Sequence, residues 1–315
     1  RYAWRRVVRS VFGHETFYLA ARGSEGDVVG VLPLVRLRSL LFGDFLVSLP
    51  YFNYGGVLAQ SAGVRARLLG AANDLARRLR VSHLELRHRC SGPESWPVRT
   101  DKVAMLLRLP ETPEQLWRGL TSKLRAQIKR PLREGATCVF GRAELLDEFY
   151  GVFAENMRDL GTPVYAKRLF QTMLATFPES TAIAVVRLKG RPVAAAFTLR
   201  HRDTMEVPWA SSLRRANGLG VNVHLYWNLL ERAVAEGLTV FDFGRSTRDS
   251  GAFRFKRQWG AEPEQLYWHY WLRDGTTVPG LSPANPKYRA AIAAWRRLPL
   301  PVANWLGPRI VKNLP

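Results

Sequence analysis

A glycine-rich loop between a predicted strand and a predicted helix is the stretch of this sequence best suited to chemistry. It runs from Arg215 to Gly220 in the form R-x-x-G-x-G. The glycines let the backbone approach a ligand closely, and the following helix directs unpaired N–H groups outward, which is typical of an anion site. We expect Arg215, Asn217, Gly218, Gly220 and Asn222 to hold phosphate. The six-residue form alone also fits an ordinary glycine-rich turn.

Two strand carboxylates and one lysine flank this loop. Glu206 precedes the loop, and Asp242 lies between two aromatic residues in the strand after the helix. A strand acid in such a setting is either functional or paired with a nearby arginine. Lys256 stands between Arg254 and Arg257 in a chain with only eight lysines among its 47 basic residues. A lysine retained there indicates that a compact point charge matters. The competing interpretation is a lysine on a helix surface.

The order of strand, R-x-x-G-x-G loop, helix and strand resembles the acyl-CoA-binding half of the GNAT acyltransferases. The segment 241–260, which contains DFGRST and FRFKRQWG, is similar to the FemAB-type transferases. These are double-GNAT proteins that move aminoacyl groups onto cell-wall precursors. The chain most resembles the FemAB-like branch that accompanies exosortase (PEP-CTERM) systems in Gram-negative bacteria. MRDLGTPVY at 157–165 and VRTDKVAM at 98–105 resemble the same branch, so the resemblance covers roughly the whole chain.

The resemblance implies roles for these residues. FemAB-type proteins have a lysine in an F-K motif, and Lys256 matches it. The resemblance implies that this lysine stabilises the transition state or binds a substrate phosphate. Glu206 falls where many GNAT enzymes have a general base, and Asp242 is the rival carboxylate. Phe253 and Phe255 stand where GNAT acetyltransferases often have a general-acid tyrosine. This departure favours substrate-assisted aminoacyl transfer.

Substrate-binding residues are expected in the shared motifs and around the strands. They are Tyr54, Asp101, Lys102, Arg158, Asp159, Thr162, Tyr165, Trp209, Arg245, Ser246 and Arg254. Arg245 and Arg254 would form a cationic wall with Lys256, which suits an anionic acceptor. The six histidines show no spacing typical of metal ligands, so the sequence predicts no metal site.

Two copies of one α/β unit position these residues. The order strand–strand–strand–helix–strand occurs in residues 16–87 and again in 182–243, with Glu85 at the position of Asp242. We therefore predict an α/β fold with α+β sheets, built from two tandem GNAT-like units. The first unit covers 1–108 and has Tyr54, Gly55 and Gly56 where the second has its loop, so we expect it to have lost the cofactor site. The second unit covers 109–275.

Two basic segments lie outside the repeats. A helical insertion is predicted over 112–177, and its first helix, 113–134, carries six basic residues between Arg118 and Arg133 with no acid among them. This pattern indicates either a solvated face or a track for phosphate groups. The tail 276–315 contains six basic residues and no acid. We expect it to pack on the core, and the alternative is a helix on an anionic inner-membrane surface.

Composition narrows the class of protein. A content of 47% hydrophobic and 23% charged residues predicts a globular chain, and no apolar run approaches the ~20 residues of a membrane span. Cys90 and Cys138 form neither a disulfide framework nor a metal motif, so the cytoplasm is the expected compartment. The net charge of +21 favours a polyanionic partner, although a general preference for arginine would also produce it.

These observations predict an acyltransferase that modifies an amine or hydroxyl of an envelope or exopolysaccharide precursor. The resemblance implies aminoacyl-tRNA as the donor, whereas the R-x-x-G-x-G loop implies acyl-CoA. One alternative is an acyl-CoA-dependent N-acyltransferase of a small molecule. The other is a non-catalytic scaffold that binds a nucleotide-sugar or a polysaccharide, because binding alone would use most of the same residues.

Overall fold

The chain divides into two units that interleave along the sequence. The structure is a computed structural model that describes residues 2–40, 42–92, 95–274, 277–278 and 286–314. The first unit comprises Arg1–Val103, Glu264–Asn285 and Arg309–Pro315, and the second comprises Ala104–Pro263 and Pro286–Pro308. The predicted start of the tail at Thr276 and the predicted opening of its helix at Asn285 lie outside the described residues.

The first unit is a mixed sheet with a helix on each face. Its elements are α1 (Trp4–Phe12), β1 (Glu15–Arg22), β2 (Val28–Ser39), β3 (Gly43–Val47), β4 (Leu58–Ala59), α2 (Ala62–Leu79), β5 (His83–His88) and β6 (Val98–Arg99). The predicted apolar stripe of α2, including Leu68 and Leu75, packs against Leu32, Leu34 and Leu84. On the opposite face Val8 of α1 packs with strand residues. Strands β3 and β5 are parallel, with Val47 opposite Glu85.

The second unit contains the longer run of elements. They are β7 (Lys102–Arg108), α3 (Pro113–Gly119), α4 (Ser122–Arg133), β8 (Ala136–Gly141), α5 (Leu146–Leu160), α6 (Lys167–Thr176), β9 (Thr181–Leu188), β10 (Arg191–His201), β11 (Thr204–Ser212), α7 (Val221–Ala235), β12 (Val240–Thr247), α8 (Gly251–Arg257) and β13 (Glu262–Gln265). The strands form one sheet in the order β13-β7-β12-β11-β10-β9-β8. Helix α7 is the crossover between the parallel strands β11 and β12.

The remaining elements are β14 (Tyr267–Leu272), α9 (Pro286–Trp295) and α10 (Leu300–Val311). Strand β14 pairs with β5 and β6, which completes the first sheet in the order β1-β2-β3-β5-β14-β6, with β4 beside β2. The boundary we predicted at residue 275 therefore differs from the observed division, because β14 follows the second unit in sequence yet belongs to the first sheet.

The repeat of strand–strand–strand–helix–strand is confirmed in both units, with the two-residue strand β4 added before α2 in the first. The apolar stripe predicted for α7 is buried, and Gly237 lies just past the helix with φ +72°, a value that glycine adopts without strain. Two local predictions were wrong. The helix predicted over 113–134 is broken, because the side chain of Thr121 accepts a hydrogen bond from Leu124 N and starts α4 as a separate helix. The helical insertion predicted over 112–177 contains strand β8, which pairs with β9.

Helices α9 and the first part of α10 pack on the segment that carries MRDLGTPVY. Arg296 Nη2 donates to Leu160 O at 3.3 Å. A Cβ at Gly161 would lie 2.5 Å from Ile292 Cγ2, and one at Gly307 would lie 2.8 Å from Val164 N, so both glycines allow close packing. Residues 286–308 of the tail thus pack on the second unit, as expected, whereas residues 309–314 belong to the first unit. Within the described residues, none of the helices has the length and apolar character needed to cross a membrane.

Candidate active site

The parallel strands β11 and β12 separate in the middle of the second sheet. Their ladder pairs only three positions and ends where Glu206 lies opposite Asp242. Both strands continue beyond that pair, to Ser212 and Thr247. The register of β10 against β11 shifts around Pro208, which has no N–H to contribute to a ladder. This bulge bends β11, and a gap follows between the two strands.

Glu206 and Asp242 lie at the point where the gap begins. As ladder partners they project to the same face of the sheet, on strands about 4.8 Å apart. Asp242 is completely buried, and its Oδ1 accepts a hydrogen bond from Gly244 N at 2.7 Å. Glu206 is half-buried. The structure thus brings together both predicted carboxylates and makes one of them more accessible than the other.

Lys256 reaches the same region from α8. This short helix begins after Ser250, whose side chain accepts from Phe253 N. The lysine is 8% exposed, so it is not a surface residue. Its Nζ donates to Gly244 O at 3.1 Å and to Arg245 O at 2.9 Å, and thereby holds β12 just beyond Asp242. Burial lowers the pKa of Lys256 to about 8, while the negative charge of Asp242 opposes this shift and Arg245 adds to it.

The predicted phosphate loop leads directly into α7. Residues Arg214–Leu219 form a 3₁₀ helix, and Gly220 joins it to α7 with φ +82°. A Cβ at Gly220 would lie 3.2 Å from Gln127 O of α4, whereas one at Gly218 would meet open space. Asn217 accepts from Ser212 Oγ at 2.8 Å, and Arg215 pairs with Glu155. Gly220 is therefore required by the backbone, and Gly218 leaves room for a ligand.

Aromatic and hydroxyl groups line the strands around the gap. Trp209 of β11 is buried and packs edge-on against Tyr165, with ring centroids 6.1 Å apart. Ser246 of β12 is also buried, and its Oγ has no hydrogen-bond partner among the described residues. Since buried hydroxyls are normally bonded, Ser246 is a group that a ligand or water would satisfy.

Helix α4 packs on α7 beside the loop and carries most of the basic residues of the predicted 113–134 helix. Lys123, Lys129 and Arg130 are exposed on it. Lys129 Nζ lies 5.3 Å from the ring centroid of Trp117, which in turn packs edge-on against Trp227 of α7. The basic face of α4 is thus fixed next to the phosphate loop.

The other predicted substrate residues have different partners, and some of them lie in the first unit. Arg158 pairs with Asp159 at 2.8 Å and also donates to Leu298 O, which ties it to the C-terminal segment. Thr162 is exposed, and Arg254 donates to Asp249 O at 2.6 Å. In the first unit Asp101 pairs with Lys102 at 3.0 Å, and the ring of Tyr54 contacts Arg89.

The equivalent position of the first unit is closed by a buried network that the sequence did not suggest. Arg87 Nε donates to Glu85 at 2.7 Å, and Tyr270 Oη donates to the other oxygen of Glu85 at 3.0 Å. Ser48 N donates to Glu85 O, and Gly55 N and Gly56 N both donate to Arg87 O. The chain after β3 therefore stays bonded along β5, and no gap like that between β11 and β12 opens there.

The described residues contain no group of three or more histidine, cysteine, aspartate or glutamate side chains arranged to hold a metal ion. The candidate site in the second unit contains carboxylates, a lysine, backbone amides and arginines. These groups can bind an anion, polarise a carbonyl and accept a proton.

Comparison with known proteins agrees with this architecture. Residues 122–257 match the family model described as an acetyltransferase (GNAT) domain. No curated protein matches the chain. The crystal structure of FemX is similar, with 12% identity, a TM-score of 0.62, and coverage of 84% of this chain and 90% of that chain. L-PGS from Bacillus licheniformis has 13% identity, a TM-score of 0.58, and coverage of 87% and 92%.

A tandem GNAT protein from the clavulanic acid biosynthesis pathway has 13% identity, a TM-score of 0.54, and coverage of 84% of this chain and 85% of that chain. At such low identity these likenesses show the fold alone. The predicted α/β architecture of two GNAT-like units is confirmed. The chain has a tandem GNAT fold, and its residues 122–257 are similar to the GNAT acetyltransferase domain.

Proposed function

We propose that this chain is a FemAB-like acyltransferase whose reaction centre is the gap between β11 and β12. The observation that carries this proposal is the end of the parallel ladder at Glu206 and Asp242, with the phosphate loop at one side and Lys256 bound to β12 at the other. A donor whose phosphates bind at the start of α7 can extend its acyl group into this gap. There the N–H groups of the strand beyond the ladder can donate hydrogen bonds to the acyl group.

The backbone of β11 supplies donors for the developing oxyanion. Leu213 N donates to Val193 O on the β10 side at 2.8 Å. Because backbone groups alternate along a strand, the N–H groups of Ala210 and Ser212 face the opposite side, toward the gap. A carbonyl oxygen held between such amides is stabilised when it gains negative charge.

The transfer step needs one proton acceptor. The acceptor amine or hydroxyl attacks the acyl carbonyl carbon, the new C–N or C–O bond forms, and the bond to the carrier oxygen or sulfur breaks. We assign proton removal to Glu206, because Asp242 is completely buried and bound to Gly244 N. The departing carrier atom takes up a proton in the same cycle. Lys256 donates to two backbone carbonyls, so we assign it the role of positioning β12.

The donor is proposed to be aminoacyl-tRNA, with acyl-CoA as the second candidate. Exposed Lys123, Lys129 and Arg130 on α4 lie on the helix that packs against the phosphate loop, and such a row suits the backbone of a nucleic acid more than a single cofactor. The loop itself serves either carrier, because both present phosphate. The same residues would also serve the small-molecule N-acyltransferase considered from the sequence.

The acceptor is proposed to be a precursor of the cell envelope or of an exopolysaccharide, modified in the cytoplasm at the inner face of the membrane. Support comes from the sequence motifs shared with the exosortase-associated FemAB-like branch and from the structural likeness to FemX and L-PGS. The basic residues of the tail give a reason for peripheral contact with anionic lipid.

Binding of charged tRNA at several salt concentrations tests the donor. We expect the triple variant Lys123→Gln, Arg125→Gln, Lys129→Gln to lose up to three phosphate contacts and to flatten the salt slope by about 0.7–0.9 per contact. The matched control is Arg67→Gln, Arg77→Gln, Arg78→Gln on exposed positions of α2, which removes the same charge elsewhere. Fluorescence anisotropy with labelled tRNA measures both variants.

The outcome separates the candidates. Tight, salt-dependent tRNA binding that the α4 variant weakens and the α2 variant leaves unchanged supports the tRNA donor. If the protein does not bind tRNA at low salt but binds and turns over acyl-CoA, then acyl-CoA is the donor. Binding of a nucleotide-sugar without transfer from either donor would favour the non-catalytic scaffold.

A further inference from the structure

A cavity of about 780 Å³ in the first unit has no part in the acyl-transfer proposal. It lies between the hairpin of β1 and β2, the chain around residues 49–58 and the end of β5. Its rim is apolar and open to solvent: Tyr2 is 66% exposed, Val28 51%, Val31 36% and Leu58 71%. Large apolar side chains exposed together on one opening are typical of a binding site.

Three buried polar atoms belong to the side chains that line this cavity. They are Tyr18 Oη, Arg87 Nη2 and His88 Nε2, and none has a hydrogen-bond partner among the described residues. Arg87 is 0% exposed and His88 is 2% exposed. Buried groups of this kind are rarely left unsatisfied in native proteins. Tyr18 and Arg87 lie on the same face of the sheet, whereas His88, the next residue of β5, lies on the other face. Tyr18 Oη and Arg87 Nη2 therefore point to a ligand that accepts hydrogen bonds.

The arginine is held rigidly, so its last donor group is preset. Arg87 Nε donates to Glu85, Nη1 donates to Phe52 O at 2.9 Å, and the guanidinium lies 4.3 Å from the ring centroid of Trp268. His88 is equally confined, because a Cβ at Gly56 would lie 2.1 Å from its ring and its Nδ1 lies 3.2 Å from His269 Nδ1. The free donor of Arg87 is therefore fixed in position before a ligand binds.

The charge around the inner end of the cavity is positive. Arg87 and Arg89 line this end of the cavity and pair with Glu85 and Glu264, and Arg65 of α2 is next to the lining residue Cys90. Arg65 bonds to Cys90 Sγ and Ser91 O, which are uncharged partners. Burial and the charges of Arg65 and His269 lower the pKa of His88 to about 3, so the imidazole is neutral at pH 7. An anionic group complements this surplus.

We propose that this cavity binds an amphiphile with a carboxylate or phosphate head and an apolar chain. The head accepts hydrogen bonds from Arg87 Nη2 and Tyr18 Oη, and the chain lies against the apolar rim formed by Tyr2, Val28, Val31 and Leu58. The proposal concerns the first unit alone and does not depend on acyl transfer by the second.

Calorimetric titration of the full chain tests this with four probes: dodecanoate, dodecyl phosphate, dodecanol and inorganic phosphate. The two anionic amphiphiles are kept below their critical micelle concentrations. We expect saturable one-site binding of dodecanoate or dodecyl phosphate, and the better of the two identifies the head. Dodecanol and inorganic phosphate should bind at least tenfold more weakly, because each lacks half of the recognised chemistry. Equal binding of dodecanol, equal binding of inorganic phosphate, or no binding of either anionic amphiphile would overturn the proposal.

Two variants locate the bound amphiphile. Val31→Trp should fill the rim and abolish binding, whereas Val98→Trp, at an exposed valine of β6 outside the cavity, should leave it unchanged. Tyr18→Phe removes one hydroxyl, so it should weaken the anionic amphiphile about tenfold or more without lowering the melting temperature of the free protein. Equal effects of both tryptophan variants, or Tyr18→Phe binding with unchanged affinity, would show that the amphiphile binds elsewhere.

Discussion

Single residues at the end of the β11–β12 ladder determine how the proposed transfer proceeds. Glu206 and Asp242 are partners in register, yet only Asp242 is fully buried and bonded to the backbone turn at Gly244. Two acids with such different surroundings should differ in function. One is suited to proton transfer and the other to holding the strand.

We expect Glu206→Gln to lower turnover by about 10²–10⁴, the usual contribution of a general base, with little change in melting temperature. Asp242→Asn should instead lower the melting temperature, because it leaves the buried ammonium of Lys256 without its nearby negative charge. Steady-state kinetics and thermal unfolding of both variants distinguish these roles. A reversed pattern, with Asp242→Asn inactive but stable, would assign the base to Asp242.

We expect Lys256→Met to lower turnover by ~10²–10³, a loss comparable to removing one preorganised donor, because the end of β12 loses its two side-chain hydrogen bonds. Lys256→Arg should recover only part of the activity, since a guanidinium is longer, planar and forked. Turnover at saturating donor and circular dichroism measure both effects. Near-wild-type turnover in a folded Lys256→Met protein would remove this residue from the mechanism.

The pH profile separates the two substitutions further. Because the pKa of Lys256 is lowered to about 8, the wild-type ammonium loses its proton as the pH rises through 8, and turnover should fall there. Arginine stays charged in this range, so Lys256→Arg should lack that alkaline decline. A purely structural lysine would leave the two profiles identical in shape.

Among the secondary-structure elements, the start of α7 makes the clearest prediction about donor binding. Gly220 adopts φ +82° and touches α4, whereas a side chain at Gly218 meets open space. The two glycines of the motif therefore have different reasons to be there, one conformational and one for ligand access.

We expect Gly218→Val to weaken donor binding while leaving the melting temperature nearly unchanged, because the added side chain occupies space that a phosphate would use. Gly151→Val on an exposed turn of α5, where a Cβ also meets nothing within 4 Å, is the matched control. Donor titrations of the two variants provide the comparison. An unchanged donor titration for Gly218→Val would exclude the loop as the phosphate site.

The whole molecule carries several buried histidines that should make it sensitive to acid. Burial lowers the pKa of His83, His224 and His269, and lowers that of His88 to about 3. The unfolded chain therefore binds more protons than the folded chain below pH 6.5, and stability present above that pH is lost as the pH falls toward 3. His88 alone should cost up to ~1.4 kcal/mol per pH unit in this window.

Urea unfolding midpoints at pH 7.5, 6.5 and 5.5 measure this loss. We expect a small change between the first two values and a clear decrease at pH 5.5, with a shallower decrease in His88→Gln. A midpoint that is the same at pH 7.5 and 5.5 would contradict the neutral, buried state of these rings.

The sequence predicted the fold well where its periodicity is long, as in the amphipathic helices. The apolar stripes predicted α2 and α7, and each of these helices connects two parallel strands. The R-x-x-G-x-G loop and the two carboxylates lie in the second unit. Strand β8 was missed because six residues between helices carry no clear alternation, and the break at Thr121 depends on a single side-chain cap.

Contacts between distant parts of the chain could not be read from the sequence. Lys256 is buried because its amine meets two backbone carbonyls of β12, and no residue pattern encodes that approach. Tyr270 reaches Glu85 across 185 positions, since β14 returns to the first sheet. The first contact fixes β12 just beyond Asp242, and the second closes the equivalent position of the first unit.

The return of β14 to the first sheet has a consequence for synthesis on the ribosome. Strand β5 is made early, but its partner emerges only after residues 104–263 have been translated. At roughly 5–20 residues per second this delay is about ten to thirty seconds. During that time the inner side of β5 is an unpaired edge, and Glu85 lacks Tyr270. The second unit, which lies within that interval apart from its last helices, can therefore fold before the first unit is complete.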